Sequence, residues 1–293
     1  MSRAVGAGGY TAGELMVACA AREIRDGEVV FVGMRLPLLA FALAKRTHAP
    51  RAVGLFENGI VRDSAAVTVL YTMGDGGNVA GALWCTRMTD VMALLHQGAV
   101  DVGFIGGAQM DRFGNLNTSY VSAGLPGRHP DEPSRAERGT GGQTAGGASG
   151  DERDAGERYR FGMKLPGSGG AADIAALAGR LLVIMQHERR RFTPRVDYVT
   201  SPGYGDGGDW RARVGLPRGG PAAAITTLGV LRFRPDTREA YLASHHPGTS
   251  VAEVRANTGW DLLVEEGVGE TPPPTPEELR IIREYDPDGF WTR

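Results

Sequence analysis

Glu57 is the residue with the clearest chemical opportunity in this chain. It follows the apolar residues Val53, Leu55 and Phe56 and precedes Asn58-Gly59. The apolar run reads as a short buried strand, and Asn-Gly adopts positive φ readily, so the chain turns directly after the carboxylate. A carboxylate at the carboxyl end of a strand stands where open α/β sheets gather their ligands. The same residues also describe a glutamate opening a surface turn, and local pattern alone does not separate the two readings.

Two glycine clusters supply possible partners for such an acid. The segment Val100–Ile105 reads as a buried strand and runs straight into Gly106-Gly107. Paired glycines there let backbone amides approach a ligand unobstructed, which suits an oxyanion or phosphate site and also a plain tight turn. Further on, Gly167-Ser168-Gly169-Gly170 leads into a helix of small residues, Ala171 to Ala178, whose amino end favours an anion. Metal chemistry finds less support. His187-Glu188 begins like a zinc-protease helix, but Arg191 occupies the position of the second histidine. His245-His246 has no third ligand at a recognisable spacing, so no metal site is assigned.

The elements that must position these residues alternate in the α/β manner. Thr11 and Glu14 form a capping box ahead of Leu15, Ala18 and Cys19, which marks the first helix. Val29–Val32 is a strand, Pro37 starts a helix running to Arg46, and Val53–Phe56 is the next strand, so the three form a right-handed βαβ unit. Ala65–Tyr71 is apolar enough for a strand, and Gly74–Asn78 has the composition of a mobile loop. Val91, Leu94 and Leu95 carry a helix that Gly98 ends. Leu181–Met185 and Val196–Thr200 read as strands, and Ile225–Phe233 with Tyr241–His246 as an antiparallel pair. Capping boxes at Ser250…Glu253 and Thr275…Glu278 open two later helices, the second in a helical tail over 272–293 behind a stiff proline connector. The expected architecture is a mostly parallel central sheet flanked by helices, with added antiparallel strands, in a single domain spanning 1–293. Residues 128–158 carry scarcely an apolar side chain and are expected to form a disordered insertion.

Composition narrows the function classes. The chain has 293 residues and 42% hydrophobic content, enough for a sizeable core. Its 32 basic and 34 acidic residues are mixed, which leaves no electrostatic footprint for nucleic acid or a membrane surface. Two cysteines, Cys19 and Cys85, argue against a disulfide framework. With no apolar leader or eighteen-residue apolar run, the expectation is a cytoplasmic protein.

Taken together, the chain resembles the β subunit of the class I coenzyme A transferases, of the glutaconate CoA-transferase type, over nearly its whole length. The resemblance rests on Gly33…Leu36-Pro37-Leu38, Ala44–Pro50, Phe56-Glu57-Asn58-Gly59, Phe104–Asp111, Gly114-Asn115, Gly167–Ala171, His187–Phe192, Asp197–Gly203 and Asn257–Asp261. It implies the CoA-transferase fold of the NagB/RpiA-like type. It also implies that Glu57 is a nucleophile assisted by Asn58, with Gly106 and Gly107 as oxyanion donors. Gly167, Ser168, Gly169, Gly170 and Arg35 are then candidates for binding CoA or substrate. A glutamate suits the role because a carboxylate is ionised at neutral pH and needs no general base to attack. No tightly bound cofactor is implied; coenzyme A enters as substrate. The implied partners are an α subunit that shares the active site, an acyl-CoA and a small carboxylic acid. Three departures stand out: Phe56 replaces a signature serine, Arg35 stands where a second glycine is common, and residues 128–158 are additional. Arg35 either meets a substrate carboxylate or pairs with a surface acid. The alternatives to CoA transfer are a CoA-thioester hydrolase or decarboxylase of the same fold, or a non-catalytic partner subunit.

Overall fold

A computed structural model describes residues 9–67, 71–122, 161–216 and 218–293. The insertion expected at 128–158 lies outside the described residues. The strands are β1 (Val29–Val32), β2 (Val53–Phe56), β3 (Ile60–Arg62), β4 (Trp84–Cys85), β5 (Val102–Ile105), β6 (Gln109–Met110) and β7 (Leu116–Asn117). They continue as β8 (Tyr120–Ser122), β9 (Phe161–Lys164), β10 (Arg180–Met185), β11 (Pro221–Thr226), β12 (Gly229–Phe233), β13 (Ala240–His245) and β14 (Leu263–Glu270). The described helices are α1 (Ala12–Arg22), α2 (Leu36–Arg46), α3 (Gly76–Val79), α4 (Met88–His96), α5 (Ala171–Leu177), α6 (Trp210–Arg213), α7 (Val251–Ala256) and α8 (Pro276–Tyr285).

Ten strands join in one sheet in the order β14-β13-β12-β11-β10-β5-β1-β2-β3-β4. Its centre, β11-β10-β5-β1-β2, is parallel throughout, while β12 and β13 on one side and β3 and β4 on the other pair antiparallel. This is the expected mixture. The chain winds one way from β1 to β2 and the other way from β1 to β5, so a crevice opens at the carboxyl ends of β1 and β5.

Strand alternation sends side chains to two cores. Val30, Val32, Phe56 and Phe104 pack with α1, α2 and the Ile281–Ile282 pair of α8. Phe31, Leu55 and Ile105 pack on the other face with Leu95 of α4 and Ile174 of α5. The capping box of α1 forms as expected: the Thr11 amide donates to Glu14 Oε2 at 2.8 Å, and the Glu14 amide donates to Thr11 Oγ1 at 3.1 Å. Arg283 of α8 donates to the same buried Glu14 carboxylate at 2.8 Å, which fastens the last helix to the first.

Four local expectations are corrected. The described part of Ala65–Tyr71 is not a strand, because the buried Arg62 guanidinium takes the carbonyls of Ser64 and Ala65 at 3.2 and 3.1 Å that a ladder would need. Gly74–Asn78 is not a loop but leads into α3, held by Asp75, whose carboxylate accepts the Tyr71 and Thr72 amides at 2.6 and 2.9 Å. Val196–Thr200 is irregular: the Asp197 amide is taken by Gln109 Oε1 at 3.1 Å, and the Thr200 amide by the Leu116 carbonyl at 2.9 Å. Ile225–Phe233 is a hairpin rather than one strand. Thr226 Oγ1 accepts the Leu228 and Gly229 amides at 3.2 and 3.1 Å and turns the chain between β11 and β12.

Candidate active site

Glu57 sits in the turn that joins β2 to β3. The Gly59 amide closes that turn on the Phe56 carbonyl at 2.9 Å, and Gly59 holds φ at +99°. A side chain at 59 would also begin 2.1 Å from the Thr86 carbonyl oxygen, so only glycine fits there. Glu57 is half-buried and faces a cavity of about 600 Å³ in the crevice between β1 and β5. Its walls come from the ends of β1 (Phe31, Val32), β5 (Phe104, Ile105) and β10 (Ile184, Met185), together with the chain that follows each strand.

The glycine clusters converge on this cavity. Gly106 and Gly107 line it directly beyond β5. From the other side, the Gly170 amide donates to Glu57 Oε1 at 3.0 Å. A side chain at Gly170 would begin 3.0 Å from that same oxygen, and one at Gly169 would begin 3.5 Å from it. The carboxylate is thus covered by bare backbone. Ser168 lines the cavity, and its hydroxyl accepts the Ala172 amide at 3.1 Å, stabilising the first turn of α5. Gly167 and Gly169 hold φ at +101° and +50°, shaping the loop without lining the cavity. Asn58 is exposed and outside the lining; its amide nitrogen lies 3.6 Å from where a Gly74 side chain would begin.

Arg35 lines the mouth with its guanidinium 5.2 Å from the centre of the Trp291 ring. Its backbone holds φ +70° and ψ −123°, a conformation that glycine adopts readily and a branched side chain does not. The glycine that the resemblance leads one to expect there would hold that conformation without strain. Sequence reasoning missed Arg191, Trp291 and Arg293, which also line the cavity. Buried Arg191 Nε lies 3.5 Å from Glu188 Oε2 and makes no hydrogen bond. Trp291 and Arg293 are placed by Asp286, whose carboxylate accepts the Phe290, Trp291 and Thr292 amides at 2.6, 3.1 and 3.0 Å. No spacing in the sequence marks that tail as part of a site. Behind Gln186, buried His187 bonds Thr226 and Thr258 hydroxyls at 3.0 Å each and stacks on Phe192. Burial lowers its pKa to about 4, which suits a structural imidazole.

An acid at a parallel sheet's switch point, backed by glycine amides, is hardware for covalent acyl chemistry. The family model described as coenzyme A transferase matches residues 14–257. The chain belongs to the coenzyme A transferase family. It is 34% identical to the B subunit of 3-oxoadipate CoA-transferase of Pseudomonas knackmussii, over 94% of this chain and 92% of that one. It is likewise 34% identical to the B subunit of glutaconate CoA-transferase of Acidaminococcus fermentans, with the same coverage of 94% and 92%. A chain of the crystal structure of glutaconate CoA-transferase from A. fermentans superposes with a TM-score of 0.78 at 32% identity, covering 97% of this chain and 98% of that one. A chain of the decarboxylase AibA/AibB superposes at 0.71 with 26% identity, covering 96% and 97%.

Proposed function

We propose that this transferase chain moves coenzyme A between an acyl-CoA and a free carboxylate through a glutamyl-CoA thioester on Glu57. The observation that carries the reading is the Glu57 carboxylate, facing the switch-point cavity with a backbone amide on one oxygen. In the first step Glu57 attacks the thioester carbonyl, the C–S bond breaks, and an acyl-glutamyl anhydride forms with release of CoA thiolate. The thiolate then attacks the glutamyl carbonyl and expels the acyl group as its carboxylate. An acceptor carboxylate reverses both steps.

Each addition places negative charge on a carbonyl oxygen. For the substrate carbonyl, the amides at Gly106 and Gly107 are the donors at hand. For the glutamyl carbonyl, the Gly170 amide already sits on the oxygen that becomes the oxyanion, so it serves the second step without rearrangement. One well-placed donor of this kind contributes roughly 3 kcal/mol. Arg35 and Arg293 line the same cavity as the acid Glu57, while Arg191 lies beside Glu188 at 3.5 Å. Among the described residues no carboxylate lies within ion-pair distance of Arg35 or Arg293. This positive surplus favours an acyl group that bears a second carboxylate, in keeping with relatives named for 3-oxoadipate and glutaconate.

Both of those relatives are B subunits, and we assign this chain an α-type partner that completes the site. Support comes from a set of exposed apolar side chains. Tyr71, Leu83, Trp84, Met88 and Phe290 are all at least 47% exposed, and Tyr71 meets Phe290 edge-on at 5.2 Å. The test is to assemble both subunits, incubate with acyl-CoA and no acceptor, reduce with borohydride and locate the modified peptide. The expected result is a covalent CoA adduct on Glu57 that Glu57→Gln lacks. Hydrolysis of acyl-CoA with no exchange into any carboxylate would instead establish the hydrolase alternative.

A further inference from the structure

We propose that Asn117 is a positioning residue for the reaction: it fixes the turn on which the glycine loop hangs, and that loop places the Gly170 amide on Glu57. The inference rests on the covalent reading above and names a residue outside the cavity lining.

Asn117, at the end of β7, is fully buried, and its amide has every hydrogen-bonding position filled. Nδ2 donates to Gln109 Oε1 at 2.7 Å and to the Tyr120 carbonyl. Oδ1 accepts the Ser119 amide at 3.0 Å and the Tyr120 amide at 3.2 Å. Gln109 is itself held, donating to Asp197 Oδ2 at 3.0 Å and accepting the Asp197 amide at 3.1 Å. The turn over 118–120 therefore has one geometry, dictated by a side chain at its base. Thr200 supports it from outside, accepting the Thr118 amide at 2.9 Å and bonding the Ser119 hydroxyl at 2.8 Å.

Two carbonyls of that turn carry the glycine loop. The Ser119 carbonyl accepts the Leu165 amide at 2.8 Å, and the Thr118 carbonyl accepts the Gly167 amide at 2.9 Å. Three residues later comes the Gly170 amide on Glu57. Gly167 and Gly169 sit at positive φ and have no side chains to pack, so the entry to the loop is held from outside, while its exit is held by α5, with the Ser168 carbonyl and hydroxyl accepting the Ala171 and Ala172 amides at 3.0 and 3.1 Å. The bond from Gly167 to the turn, and hence Asn117, fixes the loop's entry, and together with α5 at its exit it sets where the Gly170 donor lies. Misplacing a catalytic donor by about 1 Å costs on the order of 100-fold in rate.

The experiment compares the assembled wild-type enzyme with Asn117→Ala and Thr200→Val. Adduct on Glu57 is titrated to count competent sites, and kcat per titrated site and KM for acyl-CoA are measured separately. Positioning predicts that kcat per site falls about 10- to 100-fold for Asn117→Ala and about 3- to 10-fold for Thr200→Val, with KM changed less than about twofold. A purely structural role would lower the number of competent sites and leave kcat per site unchanged, which would overturn the inference. If Asn117→Ala does not fold, Thr200→Val decides, since it removes the outer support and keeps the side-chain volume. A wild-type enzyme that forms no adduct at all would overturn the covalent reading and this inference with it, an outcome distinct from normal adduct and normal kcat in the variants.

Discussion

Two carboxylates end up in contrasting settings. Asp111, after β6, is buried and accepts the Phe113 and Asn115 amides at 3.0 and 3.1 Å as well as the Asn115 side chain at 2.9 Å. Glu57, after β2, is half-buried, and among the described residues its carboxylate receives the Gly170 amide alone. Asp111 has its lone pairs committed to holding a turn, and burial still raises its pKa to about 6. Glu57 keeps lone pairs free toward a cavity. A saturated acid organises backbone, whereas an acid left with free lone pairs beside donors is available for bond formation.

The sharpest way to break this contrast is to neutralise each acid in turn. Glu57→Gln removes the nucleophile proposed above, so on that reading transfer should fall by at least about 1,000-fold while the thermal midpoint stays within about 2 °C. Asp111→Asn should do the reverse. It sets an amide against the donors of Asn115 and Phe113 and should cost roughly 2 kcal/mol, read by denaturant unfolding, with transfer per folded enzyme retained. A smaller effect is expected at the glycine that touches Glu57. Gly170→Ala would push its methyl to 3.0 Å from Oε1, and kcat should fall about 10- to 100-fold with little change in unfolding.

Acid titration separates the two kinds of site further. His187 and His246 are buried neutral, with pKa lowered to about 4 chiefly by desolvation. Their contribution to stability is present above the unfolded value near 6.5 and is lost as pH falls toward 4. Asp111 has the opposite sign: its contribution is present below the unfolded value near 3.8 and is lost as pH rises through about 6. Two histidines outweigh one aspartate, so unfolding free energy should decline between pH 6.5 and 4, and His187→Gln should flatten that decline. The smallest effect is at Arg35. Arg35→Gly removes a side chain from a backbone conformation that favours glycine, so stability should rise by up to about 1 kcal/mol while KM for a dicarboxylic acyl-CoA increases.

Much of this arrangement was legible in the sequence. The turn after Glu57 follows from Asn58-Gly59, and the parallel centre follows from the Val29–Phe56 βαβ unit. The glycines beyond Ile105 and before Ala171 were visible as clusters, and the family resemblance supplied their candidate roles. What stayed hidden has physical causes. Arg62 reads as a surface cation, yet it is 1% exposed and organises the segment after β3 through backbone carbonyls. The bond between Gly170 and Glu57 spans 113 residues, and no local periodicity encodes such a contact. Trp291 and Arg293 reach the cavity only because Asp286 curls the tail back.

That tail also bears on how the pocket is closed. Thr292 lies directly on α1, where a side chain at Gly13 would begin 2.6 Å from its carbonyl oxygen, and the Thr11 hydroxyl donates to that carbonyl. Residues 12, 13, 291 and 293 therefore share one wall of the cavity. The sheet that leads to Glu57 contains none of these residues, so this wall and the strand ends come from separate parts of the chain. The pocket is walled on this side only while residues 286–293 lie against α1. Cleavage between Tyr285 and Trp291 would loosen that wall while the sheet stays paired, a form that stability assays would pass and turnover assays would reject.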